Sequence, residues 1–183
     1  GWMCELCPQA RVVHITQDLP QEPSEHPRFW EIWRQVVLES AGAPIDFVFA
    51  SEDYGQRLAQ EVGATFVPVD LGRRTVPTSG TAIRTRPLEN WRFIPDCVRP
   101  YYVKRVCLFG PESTGKSTLA RDLAGRFDTL YVAEFARGLL NPKQGVCHAS
   151  DIPLIARGQA AAEAALARQA NKSLFCDTDL LLT

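Results

Sequence analysis

The stretch VKRVCLFGPESTGKST (residues 103–118) joins an apolar segment to a glycine-rich loop. The apolar residues of VKRVCLFG (103–110) predict a buried strand, and helical spacing of leucines resumes directly after the loop. A phosphate-binding loop requires this order of strand, glycine-rich loop and helix. The pattern G-x-x-x-x-G-K-[ST] is satisfied by Gly110, Gly115, Lys116 and Ser117.

The loop pattern predicts a site for ATP and Mg²⁺. Glycines let the backbone wrap a phosphate closely, with N–H groups pointing inward and the positive end of the following helix behind them. Lys116 is expected to neutralise the terminal phosphates, and the Ser117 hydroxyl to ligate Mg²⁺. The predicted ATP-binding residues are Gly110, Pro111, Glu112, Ser113, Thr114, Gly115, Lys116, Ser117 and Thr118.

Acidic side chains follow two other predicted strands. Asp177 and Asp179 close the segment KSLFCDTD (172–179), where a carboxylate can hold Mg²⁺ or accept a proton from an acceptor hydroxyl. We predict Lys116, Asp177 and Asp179 as catalytic and Ser117 and Asp177 as metal ligands. The spacing leaves open which aspartate is the base, and an aspartate that caps a helix is the alternative.

Glu134 and Arg137 follow the strand predicted at TLYVAEF (129–135). The carboxyl ends of parallel strands share one edge of the sheet, where ligands bind. We therefore predict that Glu134 and Arg137 bind the phosphate acceptor; a surface ion pair is the alternative.

The composition is that of an ordinary globular protein. The 183 residues are 45% hydrophobic, and 20 Lys+Arg nearly balance 21 Asp+Glu, for a net charge of −1. This balance predicts no strong attraction to nucleic acid or membrane. Six scattered cysteines favour a reduced, cytoplasmic protein. Cys4 and Cys7 form a C-x-x-C pair, but zinc requires two further ligands.

The first half of the chain predicts alternating strands and helices, the pattern of a parallel, doubly wound sheet. The predicted elements are a strand at RVVHIT (11–16), a helix at 29–42 ending at Gly42, a strand at 46–51, a helix from a Ser51 cap to Val62, and a strand at 65–70.

The second half predicts another parallel α/β unit after a proline-rich segment. Leu119, Leu123 and Phe127 recur at helical spacing, and an alanine-rich helix capped by Ser150 or Asp151 is expected over 151–170. We place a first α/β domain at 1–95, a linker at 96–103 and a second α/β domain, which contains the phosphate loop, at 104–183.

The segment SGTAIR (79–84) places small hydroxyl and glycine residues at a predicted helix start, with a cation one turn later. Free N–H groups, hydroxyls and Arg84 suit a phosphate cradle. A capped surface helix has the same sequence signature and is the alternative.

The run VPTSGTAIRTRPLENWRFIPDCVRPYYVKRVCLFGPESTGKSTLARDLA (76–124) closely resembles the NadR family, in which a nicotinamide-nucleotide adenylyltransferase domain precedes a ribosylnicotinamide kinase domain. The resemblance extends from about residue 11 and includes the segment SEDYG (51–55) and the D-T-D strand end. It implies that ATP phosphates in the adenylyltransferase are gripped by Ser79, Gly80, Thr81 and Arg84. It also implies a nicotinamide contact for Trp30 or Trp33, for which core packing is the alternative.

The resemblance has departures. The H-x-G-H type motif of the adenylyltransferases does not occur at His14, His26 or His148, and only 65 residues follow the loop. We therefore expect a fragment across the junction of two domains, with phosphate binding at 110–118 and little or no adenylyl transfer. Nicotinamide riboside and nicotinamide mononucleotide are the implied substrates, and oligomerisation is left open. The alternatives are a non-enzymatic nucleotide-binding module and a different small-molecule P-loop kinase or ATPase.

Overall fold

The computed structural model describes residues 1–178. The chain divides into two compact units, one formed by Gly1 with residues 3–78 and the other by Trp2 with the residues from Ser79 onward. Each unit has its own sheet, and all strand pairs are parallel. The prediction of an α/β protein with parallel sheets is therefore confirmed. Within the described residues, no helix combines the length and apolar character needed to cross a membrane.

The first unit is small, and its sheet has two strands. Gly55 explains how closely helix and sheet approach, because a Cβ there would lie 2.5 Å from the Ala50 Cβ and 2.7 Å from the Phe66 ring. Gly42 and Gly63 end the two longer helices in the left-handed conformation, as predicted. The elements are α1 (Trp2–Leu6), α2 (Phe29–Ala41), β1 (Phe47–Ala50), α3 (Tyr54–Val62) and β2 (Thr65–Pro68).

Two predictions for this unit are wrong. Residues 11–16 form no strand; Val12 and Val13 are each 45% exposed. Instead of strand pairing, Arg11 tethers the segment by donating to the carbonyls of the last turn of α2, which lack helical partners. Ser51 does not cap α3, because the helix begins at Tyr54.

The second unit holds a three-stranded sheet in the order β3–β5–β4. The long α8 begins after Asp151, whose side chain accepts from Lys143 and the His148 amide rather than capping its own helix. The elements are α4 (Gly80–Thr85), α5 (Arg99–Tyr102), β3 (Lys104–Cys107), α6 (Lys116–Arg126), β4 (Leu130–Val132), α7 (Phe135–Leu140), α8 (Ile152–Ala167) and β5 (Ser173–Cys176).

The central strand β5 is covered on both faces. Leu174 and Cys176 contribute to one core cluster, whereas Phe175 points to the other, as strand alternation requires. The first cluster contains the buried residues Trp91, Ile94, Val103, Val132, Ala167 and Ala170; the second contains Ala120 and Ala124. The sheet is therefore held between two apolar layers.

Three details of the second unit differ from prediction. The strand β3, predicted to be buried, is exposed along its length, including Cys107. Leu119 on α6 is 50% exposed, and Phe127, directly after the helix, is 54% exposed. The buried residues of α6 are alanines, which allow close approach to the sheet. The strand predicted over 129–135 ends at Val132, and α7 begins at Phe135.

Residues 79–103 pack with the second sheet. Trp91, Ile94 and Val103 are 8%, 2% and 8% exposed and belong to its first core cluster. Part of the predicted linker is helical, since α5 lies within 96–103. The compact units divide after Thr78, but compactness and sequence ancestry are different criteria, so the domain boundaries at 1–95 and 104–183 stay predictions.

Candidate functional site

The three parallel strands of the second unit bring the predicted site residues to one edge of the sheet. Backbone hydrogen bonds continue past the strand ends: the Leu108 amide donates to Cys176 over 2.8 Å, and the Asp177 amide donates to Val132 over 2.9 Å. The start of the loop, the first aspartate and the end of β4 are thereby held together. This confirms that the residues meet at the carboxyl edge.

The glycine loop has a backbone that its sequence explains. Gly115 occupies the N-cap position of α6 with φ +87°, a conformation that an L-residue with a side chain adopts at a steric cost. The Leu119 amide returns to the Gly115 carbonyl over 2.9 Å, so the helix begins at once. The amides of its first turn have no partner within the helix, and together with the positive end of the helix dipole they favour an anion in the loop.

Ser117 connects the loop to the neighbouring strands. Its hydroxyl lies 2.5 Å from Asp177 Oδ2, to which it donates, and accepts from the Arg137 guanidinium over 3.2 Å. Arg137 also pairs with Glu134 over 3.0 Å. Four predicted site residues from three strand ends therefore form one continuous chain of polar contacts.

Asp177 has the features of a metal-binding carboxylate. It is 3% exposed, and its Oδ1 atom is buried with no hydrogen-bond partner among the described residues. A buried carboxylate oxygen without a partner is costly, whereas Mg²⁺ prefers oxygen ligands and retains several waters. The Ser117 hydroxyl and the Asp177 carboxylate thus fit a magnesium ion.

A cleft of about 780 Å³ opens over the loop. Lys116 reaches across the loop, and its ammonium donates to the Pro111 carbonyl over 2.7 Å. A phosphate would offer that ammonium a charged acceptor, which forms the stronger hydrogen bond. The lining residues are Leu108, Phe109, Gly110, Glu112, Ser113, Thr114, Gly115, Lys116, Ser117, Thr118, Glu134, Ala136, Arg137, Leu140 and Thr178.

The sequence reasoning missed Gln159, a buried residue behind the cleft. It is 1% exposed on α8, and its Oε1 accepts from the Phe135 amide over 2.9 Å. The sequence contained one signal: Gln159 lies in an alanine-rich helix, and glutamine is seldom buried in protein cores. Its partner, 24 residues away in the chain, was not readable from spacing.

The segment before α8 is also fixed by polar contacts. Asp151 is 7% exposed, and its carboxylate accepts from the Lys143 ammonium over 2.6 Å and from the His148 amide over 3.0 Å. The hydrogen bond from Lys143, and next that from the His148 amide, lower the pKa of Asp151. These contacts anchor the start of the helix that carries Gln159.

The S-G-T-x-I-R motif forms local bonds. Ser79 accepts from the Ala82 amide over 3.0 Å, and Arg84 donates to Thr81 over 3.3 Å. A depression of about 510 Å³ beside α4 is lined by Ser79 and Thr81, and by neither Gly80 nor Arg84. These bonds are those of a capped helix, so the phosphate-binding role stays a prediction.

Other predicted residues have structural contacts or lie outside the described chain. The Trp33 indole donates to the Pro20 carbonyl over 2.9 Å, and Arg57 lies 5.9 Å from the centroid of Trp30, so their nicotinamide role stays a prediction. Asp179 lies outside the described residues. Cys4 and Cys7 belong to no cluster of three or more potential metal ligands in residues 1–178.

Known proteins resemble this chain along most of its length. It is 31% identical over 179 residues to the trifunctional NAD biosynthesis/regulator protein NadR of Escherichia coli (strain K12). The aligned region covers 93% of this chain and 43% of that protein. The protein of the same name from Salmonella typhimurium matches with the same identity and coverage. The chain thus spans less than half the length of these curated relatives.

A family model described as an AAA domain matches residues 105–183. A crystal structure of NadR in complex with NAD and AMP-PNP superposes with a TM-score of 0.68 at 23% identity, covering 87% of this chain and 49% of that one. A NadR structure in complex with NR gives 0.75 at 22% identity, covering 99% and 55%. These superpositions establish the fold, and the homology with the AAA domain supports a nucleotide-binding role.

Proposed function

We propose that this chain, which is homologous to part of NadR over 93% of its own length, binds Mg-ATP at residues 110–118 and transfers the γ-phosphoryl group to the 5′-hydroxyl of nicotinamide riboside. The longer enzyme would in addition adenylylate nicotinamide mononucleotide to NAD. The proposed location is the cytoplasm, where ATP is supplied.

One observation carries the kinase proposal. The Ser117 hydroxyl of the loop donates to Oδ2 of the buried Asp177 and accepts from Arg137 of α7. The other carboxylate oxygen of Asp177, Oδ1, has no partner in the described chain. A glycine turn with an exposed lysine would not need a buried carboxylate behind it. A triphosphate site does, because its charge must be balanced by a metal held against the protein.

The residues of the loop act by positioning and charge neutralisation. Amides at the start of α6 hold the phosphate oxygens, and Lys116 exchanges the neutral Pro111 carbonyl for phosphate oxygens. Because the chain passes directly from Gly115 into α6, these donors are already oriented before ATP arrives. Little reorganisation is then required in the transition state.

Ser117 and Asp177 would hold Mg²⁺. The metal, when bound, neutralises charge that develops on the transferred group. Asp177 already accepts from Ser117, which favours the metal role for this aspartate. The role of base then falls to Asp179, a proposal that rests on its position in the sequence alone.

Glu134 and Arg137 would face the acceptor. Arg137 lies between Glu134 and the loop serine, and its side chain is 56% exposed, so it is accessible from the cleft. A guanidinium suits the charged oxygens of the phosphoryl group in transfer, and a carboxylate suits the hydroxyls of a ribose.

The test is binding followed by turnover. Thermal unfolding of the 183-residue chain is measured with and without Mg-ATP, beside Lys116→Ala; a ligand at one hundred times its Kd stabilises a protein by about 2.7 kcal/mol. We expect a rise in Tm in the parent only. Transfer of labelled γ-phosphate to nicotinamide riboside, with uridine as the control acceptor, then tests the acceptor.

Each outcome separates the alternatives. Transfer to nicotinamide riboside alone supports the proposal. Mg-ATP binding with no transfer to either acceptor supports a non-enzymatic nucleotide-binding module, and transfer to uridine instead supports a different small-molecule kinase. A Tm that Mg-ATP does not change would refute the nucleotide site itself.

The adenylyltransferase part of the proposal depends on the motif at 79–84 and on the homology. Ser79, Gly80, Thr81 and Arg84 would hold ATP phosphates in the longer enzyme, and Trp30 or Trp33 would contact the nicotinamide ring. For this chain we expect little or no adenylyl transfer. Formation of NAD from nicotinamide mononucleotide and ATP at an enzymatic rate would contradict that expectation.

A further inference from the structure

Gln159 is a fully buried polar residue that lies outside the cleft. Its side chain is 1% exposed, and burial of an amide is costly unless the amide is hydrogen-bonded. Both ends are satisfied: Oε1 accepts from the Phe135 amide over 2.9 Å, and Nε2 donates to Glu163 Oε1 over 3.4 Å. The residue is therefore committed to one orientation.

The amide that Gln159 binds is the first of helix α7. Amides in the first turn of a helix have no partner within the helix, and an N-cap side chain reaches only the second or third of them, so the first needs an acceptor from elsewhere. Glu134 occupies the N-cap position of α7 but makes no capping hydrogen bond. Gln159 supplies the acceptor for this first amide from a different helix, while the Glu134 carboxylate pairs with Arg137.

The neighbouring residue fixes the same helix at a second point. A Cβ at Gly158 would overlap the ring of Phe135, so the ring lies directly against the backbone of α8. Gly158 and Gln159 thus hold the ring and the amide of one residue. With two points of attachment, the first turn of α7 cannot rotate about its axis without breaking a buried contact.

We infer that Gln159 is a positioning residue for the acceptor side of the cleft: by capping α7 from α8, it holds Glu134 and Arg137 in place beside the phosphate loop. Arg137, one turn into α7, reaches Ser117 over 3.2 Å from this position. The inference rests on the proposed acceptor role of Glu134 and Arg137. The loop itself is built by β3 and α6 and does not depend on Gln159.

The test uses one disruptive variant and one exchange that restores the contact. Gln159→Leu fills the buried position with an apolar side chain of similar size and leaves the Phe135 amide without an acceptor. The double variant Gln159→Glu/Glu163→Gln returns both groups: a carboxylate accepts from Phe135, and the new amide at 163 donates to it. Glu163 otherwise contacts Arg105 over 3.6 Å, and because the Arg105 side chain is 51% exposed, the loss of this pair costs little.

Three quantities are measured on the full chain: hydrogen exchange of the Phe135 amide, affinity for Mg-ATP, and affinity for nicotinamide riboside with AMP-PNP and Mg²⁺ present. We expect roughly tenfold effects, which correspond to about 1.4 kcal/mol and lie within the usual cost of leaving a buried donor without an acceptor. In Gln159→Leu, exchange is about tenfold faster and riboside affinity about tenfold lower, with a clearly smaller loss of Mg-ATP affinity. The double variant Gln159→Glu/Glu163→Gln restores both the slow hydrogen exchange and the riboside affinity.

Other results overturn the inference. Equal losses of Mg-ATP and riboside affinity would assign Gln159 a general structural role. Unchanged riboside affinity in Gln159→Leu would refute positioning, as would failure of the double variant to restore it. If the parent binds Mg-ATP but no riboside, the proposed acceptor is wrong, and hydrogen exchange alone then tests the positioning of α7. Faster exchange of the Phe135 amide in Gln159→Leu than in the parent would support positioning, and equal exchange would refute it.

Discussion

Two short motifs of the second unit contain the same kinds of residues and have different structures. Both place a glycine, a serine and a cation around the start of a helix, one at α6 and the other at α4. In the phosphate loop, Ser117 contacts Asp177 from 60 positions away in the chain. At α4, Ser79 bonds to Ala82 and Arg84 to Thr81, each within three residues.

The range of these contacts separates a built site from a capped helix. Local bonds at α4 satisfy the first turn of a six-residue helix and need no ligand to explain them. The loop at α6 is connected to a buried carboxylate with an unpartnered oxygen, which a helix cap does not require. Four comparisons between variants, in order of expected effect, test this difference.

The two cations give the largest expected contrast. Lys116→Ala removes an ammonium that would bond directly to phosphate, which corresponds to about 2–3 kcal/mol, or roughly thirtyfold to a hundredfold in Mg-ATP affinity. Arg84→Ala is expected to leave the affinity of this chain unchanged. Isothermal titration of both variants decides the question. An equal loss in the two variants would mean that the motifs act on one nucleotide.

The buried carboxylate gives the next contrast. Asp177→Asn is expected to abolish the magnesium dependence of ATP binding, lowering affinity about tenfold, because a charged hydrogen-bonded ligand contributes about 1.5 kcal/mol or more. Without metal, its Tm should equal or exceed that of the parent, since a buried negative charge with one unpartnered oxygen has been removed.

The exposed carboxylate Asp122 on α6 provides the control for that experiment. Asp122→Asn should change neither magnesium dependence nor Tm. If Asp177→Asn binds ATP with the same response to Mg²⁺ as the parent, then Asp177 is not the metal carboxylate.

The two glycines differ in backbone conformation. Gly115→Ala places a Cβ at φ +87° and is expected to cost about 1–2 kcal/mol in the free energy of unfolding. Gly80 has no left-handed φ, and the group nearest to a Cβ there is the flexible end of Arg84 at 3.2 Å. Gly80→Ala should therefore lie within about 0.5 kcal/mol of the parent. Urea unfolding measures both, and an equally destabilised Gly80→Ala would show that α4 is more constrained than its contacts indicate.

The smallest effect is expected for the cap of α4. Ser79→Ala removes a side chain that accepts from the Ala82 amide and should destabilise the chain by about 1 kcal/mol, with unchanged Mg-ATP affinity. Replacement by Asp, another capping residue, should restore stability. A change in nucleotide affinity at unchanged stability would reverse the comparison and assign this serine to a phosphate site.

Local rules account for what could be predicted. The phosphate loop, the helix ends at Gly42 and Gly63 and the Ser79 cap follow from φ preferences and from polar groups adjacent in the chain. The parallel arrangement follows from alternating strands and helices, and with it the meeting of Asp177, Glu134 and the loop at one edge.

The sequence by itself determined the loop, the alternation of elements and the residues gathered at the sheet edge, because each depends on neighbours in the chain or on the common direction of the strands. Tertiary structure alone decided that residues 11–16 are not a strand, since Arg11 instead bonds to the last turn of α2, a contact across about 30 residues. It also decided that alanines rather than Leu119 bury α6. Finally, it placed Gln159 under the first turn of α7, a contact across 24 residues that only the packing of two helices can create.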